Sequence, residues 1–351
     1  MKHRVAILGA TGAVGQRFVQ LLHNHPWFEI EVLAASEKSA GKKYGEACDW
    51  ILECEMPSEI AEMYVVNSDV KFVEKAGNID FVFSALPSDV AGPVEEEFAK
   101  TYPVFSKASA HRLEDDVPLL IPEVNPEHLE LVKIQKERRS WSGFISTDPN
   151  CSTIQLAITL KPLMQFGLKK VAVSTMQALS GAGYPGVPSL SIIDNVLPYI
   201  SGEEEKIELE TLKILGKFND NKIRPANIKV SASCNRVNVK DGHLECVFAE
   251  LEKKPSIEEV KKAFINFKGE PQRLKLPSAP ENPIIVREEK DRPQPRLDRD
   301  EGKGMSIVVG RIREDPVLTI KYLCLSHNTI RGAAGAGLLS AELAAKKGYI
   351  K

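Results

Sequence analysis

An α/β chain in two parts is what this sequence predicts: a doubly wound parallel sheet over residues 1–150, then an α+β domain with a mixed or antiparallel sheet over 151–328. Three observations lead there. The chain opens on a strand, a glycine turn, a helix and a second strand. Strand-like and helix-like runs then alternate, as they do in a Rossmann-type sheet. Around residues 140–150 the texture changes to long alternating stretches with one polar face. The length agrees, because 351 residues exceed one ordinary core and suit two domains of roughly 150 each.

The elements follow in order. VAIL (5–8) is a short apolar run of the kind buried on both faces of a parallel sheet. After GATGAVG, helical spacing appears at Val14, Phe18, Leu21 and Leu22, and IEVLAA (30–35) is the second strand. Lys71–Val73, Phe81–Ala85 and Pro103–Phe105 are further strand candidates. In the second half, KKVAVSTMQAL (169–179), NIKVSASCNRVNV (227–239) and HLECVFAEL (243–251) read as strands, with helices at about 152–165, 203–217 and 256–267. Residues 269–304, rich in Pro, Arg, Asp and Glu, read as a long irregular arm, and TIRGAAGAGLLSAELAAKKGY as a small-residue closing helix.

Composition narrows the function classes. Hydrophobic content of 43% and charged content of 27% are those of a soluble globular protein, and a net charge of -2 gives no electrostatic reason for a nucleic-acid or membrane partner. No apolar run approaches the roughly 20 residues of a membrane span. Glycines interrupt the N-terminal apolar run too early for a signal peptide, so a cytoplasmic protein is expected. Cys48, Cys54, Cys151, Cys234, Cys246 and Cys324 form no CxxC pair, and the histidines lack HxxxH or HExxH spacing; no metal site is expected.

Gly9, Gly12 and Gly15, with Thr11, Ala13 and Val14 between them, open a βαβ unit. Such glycines can simply serve a tight turn. Between a strand and a helix they also let the backbone approach a pyrophosphate at the helix N-terminus, which points to a dinucleotide. At the end of the second strand stand Ser36 and Ser39, able to donate to a 2′-phosphate, with Lys42 and Lys43 beyond; Glu37 is one residue late to hold a ribose hydroxyl. NADP is favoured over NAD.

DPNCSTIQLAI (148–158) places Cys151 where an apolar helix begins, and a helix N-terminus increases the thiolate fraction. Most such cysteines are small buried hydrophobes. Its position after a complete dinucleotide domain favours a nucleophile. NRVNVKDGHLECVF (235–248) reads as a hairpin about Asp241-Gly242, in which Lys240 faces His243, Asn238 faces Glu245 and Arg236 faces Val247. Period two then gathers Arg236, Asn238, Lys240, His243 and Glu245 on one face, and Val237, Val239, Leu244, Cys246 and Phe248 on the apolar one. An arginine beside a histidine suits acid–base chemistry on an anionic substrate, and a solvated face with a turn histidine is the plainer alternative. In SGEEEKIELE, Glu203 and Lys206 have the spacing of a helix salt bridge after a Ser201 cap.

GATGAVG, DPNCST, MQALSGAGYPG, GEEEKIELET, NRVNVKDGH and HNTIRGAAGAG, in this order, resemble the aspartate-semialdehyde dehydrogenases of the branch typical of archaea and fungi, over essentially the whole chain. The resemblance implies that Cys151 is the thioester nucleophile, His243 the general acid/base and Gln177 the residue orienting the substrate. It places Arg236 and Glu203 on the α-carboxylate and α-amine of the substrate, and Asn150, Arg112 and Lys206 on the phosphate side. It places Asn328 on the nicotinamide amide, and Ser180 and Gly181 with it among the cofactor-binding residues. SKASAHR (106–112) departs from the aspartate-asparagine-serine run of many relatives, which leaves the phosphate side less defined. The resemblance further implies that the C-terminal helix (329–351) completes the nucleotide domain and that the second sheet pairs two copies, in a homodimer or a dimer of dimers. The implied reaction is reversible NADP-dependent reduction of aspartyl phosphate to aspartate semialdehyde and phosphate, in lysine, threonine and methionine biosynthesis. Malonyl-CoA reductase has the same expected fold, but asparagine before the cysteine favours phosphate over a CoA thioester. A non-catalytic NADP-binding redox sensor is the reading from another class, and Cys151 with His243 and Arg236 speaks against it.

Overall fold

The short apolar runs of the N-terminal half form one sheet in the computed structural model, which describes residues 2–350. Its strands are β1 (His3–Leu8), β2 (Phe28–Ala35), β3 (Val65–Asn67), β4 (Phe81–Ser84), β5 (Pro103–Ser106) and β6 (Phe144–Thr147). All pairs are parallel, in the order β3-β2-β1-β4-β5-β6. The order reverses between β1 and β4, and such a switch point leaves a crevice beyond the strands' carboxyl ends. The glycine turn lies there, between β1 and α1 (Ala13–Leu22). Phe81 and Phe83 share one face by period two, and Phe105 and Phe144 continue the ring contacts at centroid distances of 5.6 and 5.8 Å.

One strand expectation fails here. Lys71–Val73 belongs to α2 (Val70–Ala76), whose start is capped by Asp69 accepting from the Lys71 N–H at 2.9 Å. The strand is Val65–Asn67 instead. Three residues are too few for periodicity to separate helix from strand, and the capping aspartate was the available signal.

The helix Gly335–Lys346 packs against α1 and β5 in this same unit. Its small residues permit the approach: a Cβ on Gly337 would stand 3.0 Å from the Phe18 ring. His25 and Glu342 join it to the end of α1 through a buried contact of 2.9 Å.

The second unit comprises Ile121–Pro126 and Pro149–Gly332, the first taking Met1–Leu120, Glu127–Asp148 and Ala333–Lys351. The divisions therefore fall at 148/149 and 332/333 rather than 150/151 and 328/329. The short piece 121–126 joins the second unit, where Glu123 makes a buried ion pair with Arg331 at 2.7 Å. The elements of this unit are α3 (Cys151–Leu163), β7 (Leu168–Gln177), α4 (Glu203–Ile214), β8 (Lys229–Arg236), β9 (His243–Leu251), α5 (Ile257–Ile265), β10 (Ile284–Arg287), β11 (Ile307–Glu314) and β12 (Ile320–Ser326). They form a mixed sheet in the order β8-β7-β9-β12-β11-β10, with α3 lying on β7, β9 and β12.

The predicted hairpin does not form. β8 pairs in parallel with β7, and β9 pairs antiparallel with β7 on its other side, so β7 separates the two strands expected to be partners. The chain from Val237 to Gly242 is a crossing connection, in which Gly242 has φ +104°. The expected pairings Lys240–His243, Asn238–Glu245 and Arg236–Val247 are therefore wrong. The 269–304 arm is also more regular than expected. It contains two short helices and the edge strand β10, whose parallel pairing with β11 is a contact between distant segments. Among the described residues no helix is long and apolar enough to cross a membrane.

Candidate active site

Cys151 owes its position to Asn150. The Asn150 Oδ1 accepts from the backbone N–H groups of Ser152 (2.9 Å) and Thr153 (3.3 Å), which caps α3 and makes Cys151 its first residue. The cap is held in turn by two carboxylates. Glu203 Oε1 accepts from Asn150 Nδ2 at 2.7 Å, and Glu210 Oε2 accepts from the Asn150 N–H at 2.6 Å. These two glutamates stand two turns apart on one face of α4. Glu203 is among the sequence-derived candidates and Glu210 is not, although the i,i+7 spacing in GEEEKIELET was a readable sign. Lys206 lies one turn on, its Nζ 4.0 Å from Glu203 Oε2. The helix cap is Gly202 in a left-handed conformation, not Ser201.

Arg236, Gln177 and His243 share one face for a reason the hairpin did not supply. Arg236 is level with Gln177 across β8 and β7, and Leu244 is level with Met176 across β9 and β7, which brings His243 opposite Gln177. Residues level across neighbouring strands point to the same side, so the interposed strand preserves the shared face. That face is buried: His243, Glu245 and Val247 are each 0% exposed, whereas Leu244, Cys246 and Phe248 are only half-buried.

His243 Nε2 lies 3.1 Å from Cys151 Sγ, and His243 Nδ1 accepts from the Ala178 N–H at 3.0 Å. A backbone N–H can only donate, so Nδ1 carries no proton and the neutral ring bears its hydrogen on Nε2, toward the sulfur. Burial, together with the nearby Arg236 and His327, pushes the His243 pKa down to about 3. The Ala178 carbonyl meanwhile accepts from Arg236 Nη1 at 2.8 Å. Burial lowers the Arg236 pKa, and the neighbouring Cys151 and Glu203 oppose that. Ala178 thus orients both side chains through its backbone, a role that no side-chain pattern reveals.

Gly181 lies over this pair. A Cβ there would stand 2.8 Å from Arg236 Nη1 and 3.1 Å from His243 Cε1, so the loop can approach only as glycine. Asn328 Nδ2 donates to Ser180 Oγ and Asn328 Oδ1 accepts from the Gly242 N–H, both at 2.8 Å. Gln177 Nε2 donates to Thr175 Oγ1 at 3.3 Å. The second unit therefore brings Asn150, Cys151, Gln177, Ser180, Gly181, Glu203, Lys206, Arg236, His243 and Asn328 into linked contacts.

The other candidates lie in the first unit. Gly9 has φ +72°, and a Cβ on Gly15 would stand 2.2 Å from the Gly9 carbonyl oxygen, so the turn through Thr11 and Gly12 requires both glycines. Helix α1 begins with no side-chain cap and no acidic residue in its first turn, which leaves the Ala13 and Val14 end suited to an anion. Ser36 directly follows β2, and the Ser39 N–H donates to the Ser36 carbonyl at 2.9 Å, closing a surface turn. Lys43 is ion-paired with Glu62 at 2.5 Å. Arg112 is buried, and its Nη2 donates to the Lys107 carbonyl at 2.8 Å. Among the described residues no cluster could hold a metal ion.

Two family models match this chain: the semialdehyde dehydrogenase NAD binding domain over residues 4–132 and the semialdehyde dehydrogenase dimerisation domain over residues 160–331. The aspartate-semialdehyde dehydrogenase of Archaeoglobus fulgidus is 58% identical over 351 residues, with 100% of both chains covered. The malonyl CoA reductase (NADP) of Metallosphaera sedula is 44% identical, covering 99% of this chain and 98% of that one. The solved structure of aspartate semialdehyde dehydrogenase with NADP from Candida albicans matches with a TM-score of 0.91 at 44% identity, covering 100% of each chain.

Proposed function

The chain belongs to the aspartate-semialdehyde dehydrogenase family, and from that premise we propose that it interconverts aspartyl phosphate and aspartate 4-semialdehyde through a thioester on Cys151, with NADP as cofactor. The observation that carries the mechanism is the 3.1 Å approach of His243 Nε2 to Cys151 Sγ at the start of a helix.

In the reductive direction the Cys151 thiolate attacks the acyl carbon, and phosphate leaves as the thioester forms. The Nε2–H of His243, already aimed at the sulfur, donates to the carbonyl oxygen as it gains negative charge. Arg236 holds the α-carboxylate, Glu203 the α-ammonium group, and Gln177 orients the chain between them. Asn150 already uses Oδ1 on the cap and Nδ2 on Glu203, so its part is to position Cys151; Arg112 and Lys206 serve the phosphate. When bound, the nicotinamide nucleotide supplies the hydride by which the thioester becomes a thiohemiacetal. Gly9, Thr11, Gly12, Ala13, Val14 and Gly15 would hold its pyrophosphate, Ser36 and Ser39 its 2′-phosphate, and Ser180, Gly181 and Asn328 its nicotinamide side. The uncapped start of α1 fits such an anion.

The reaction serves the biosynthesis of lysine, threonine and methionine, as the family resemblance implies. The active form is a homodimer or a dimer of dimers built on the second sheet; the match to a dimerisation domain supports this. None of the six cysteines is in a disulfide, which suits the reducing cytoplasm.

A coupled assay with aspartate semialdehyde, phosphate and each nicotinamide cofactor tests the whole reading, with malonyl-CoA and NADPH in parallel. Turnover of malonyl-CoA alone would replace it with the reductase. Two variants test the binding roles. Arg236→Lys replaces a bidentate fork with a point charge, and should raise KM for the semialdehyde about tenfold or more with little change for phosphate. A larger effect on phosphate would show that the two anion sites are exchanged. Ser39→Asp sets like charges together, and should weaken NADP about tenfold while leaving NAD nearly unchanged in a fluorescence titration. Equal losses would move the 2′-phosphate pocket elsewhere.

A further inference from the structure

Helix α4 begins EEEKIELE, a run whose ordinary place is a solvated face. Here Glu205 is exposed, while the other four glutamates accept hydrogen bonds from the two elements against which α4 packs, α3 and β8. Toward α3, Glu203 and Glu210 hold Asn150 at both ends, Glu203 taking the side-chain amide and Glu210 the backbone N–H. Asn150 Oδ1 accepts from Ser152 and Thr153, and its carbonyl accepts from the Ile154 N–H at 3.0 Å. Every polar group of the residue before Cys151 is thus engaged.

About 100° round the helix from Glu203, Glu204 and Glu208 serve β8. This strand is the edge of its sheet, so alternate backbone N–H groups point away from β7. The Cys234 N–H donates to Glu204 Oε1 at 2.9 Å, and the Ala232 N–H to Glu208 Oε1 at 3.0 Å. Two residues on, the Arg236 N–H donates to the Leu197 carbonyl at 2.8 Å. The two carboxylates stand where a further strand would supply carbonyls, and they fix the strand whose last residue is Arg236.

Negative charge near a thiol opposes its ionisation, so the charge of these glutamates does not help Cys151. What they supply is geometry, through strong charge-assisted bonds to backbone N–H groups. We propose that α4 is a positioning brace: Glu210 acts through Asn150 on Cys151, and Glu204 and Glu208 act through the β8 backbone on Arg236. One helix then sets the span from sulfur to guanidinium into which an amino-acyl substrate must fit. The inference rests on Cys151 as nucleophile and Arg236 as holder of the carboxylate.

The test separates the two arms of the brace in the full chain. Glu210→Asp keeps the charge but withdraws the acceptor by one C–C bond, about 1.5 Å. It should lower kcat about tenfold, with KM for aspartate semialdehyde within about threefold of wild type. Alkylation of Cys151 by iodoacetamide, followed on its own peptide by mass spectrometry, should slow about threefold or more, and this readout needs no turnover. The Glu204→Ala/Glu208→Ala double variant frees the edge of β8, while alanine preserves helix propensity. It should raise KM for the semialdehyde about fivefold or more, leaving kcat, KM for phosphate and Cys151 alkylation within about twofold. Glu204→Gln and Glu210→Gln keep an oxygen acceptor of the same reach and should stay within about threefold of wild type throughout. All four variants should melt cooperatively near the wild-type temperature. Four results would each overturn the proposal: wild-type constants in Glu210→Asp or in the double variant, the same constant changing in both, glutamine variants as impaired as these two, or losses seen only with a large fall in melting temperature. An active Cys151→Ser variant, or an Arg236→Lys variant that weakens phosphate instead, would remove the roles on which the brace rests.

Discussion

Cys151→Ser is expected to lower turnover by about 10³-fold or more while cofactor binding and melting temperature stay near wild type. The side chains differ by one atom, and Asn150 would still cap the helix through Ser152 and Thr153. Reactivity is what changes. A serine hydroxyl at neutral pH supplies almost no anion for attack, and the nearest base is a ring that already carries hydrogen on the nitrogen facing it. The check is a burst of thiol-bound acyl enzyme on rapid mixing with acyl phosphate, present in wild type and absent in the variant. Turnover within tenfold of wild type would rule out covalent catalysis at this residue.

His243→Ala should cost about 10²–10³-fold in kcat, with KM for the semialdehyde changing much less. In the proposed mechanism the ring contributes a donor placed where negative charge develops, and it does so without ionising. Its pKa of about 3 also gives a pH signature. An ordinary histidine acting as base would impose an acid limb near pH 6.5, whereas His243 stays neutral down to roughly pH 4 and should impose none in the range 5.5–7. A wild-type limb near pH 6.5 that disappears in His243→Ala would show that the Ala178 contact does not hold the ring neutral. Stability carries the same mark. Between about pH 3 and 6.5 the unfolded chain binds a proton at His243 that the folded chain does not, so the wild type loses stability as pH falls through that window, and His243→Ala should lose less.

What the sequence by itself determined was local. The glycine turn between β1 and α1, the start of α3 at Cys151 and the limits of β9 follow from spacing, capping and periodicity within a few residues. The closeness of the aspartate-semialdehyde dehydrogenase motifs added the proposed roles of the site residues, because the order of the motifs survives in the chain whatever the fold does with them. The tertiary structure decided the neighbours. Asp241-Gly242 between alternating runs is a sound hairpin signal, yet β7, from some 60 residues earlier in the chain, lies between β8 and β9. Arg236 and His243 still share a face only because one interposed strand preserves the alternation. Placing Glu245 on the polar face was right as parity, and that face is buried under α3 rather than solvated, as the plainer alternative would have had it. The Ala178 backbone, which orients His243 and Arg236 together, leaves no side-chain trace at all. The physical reason is one of range. Turn and cap chemistry depends on dihedral angles and hydrogen bonds between near neighbours, whereas strand order depends on the burial gained by the whole sheet, which no window of sequence contains.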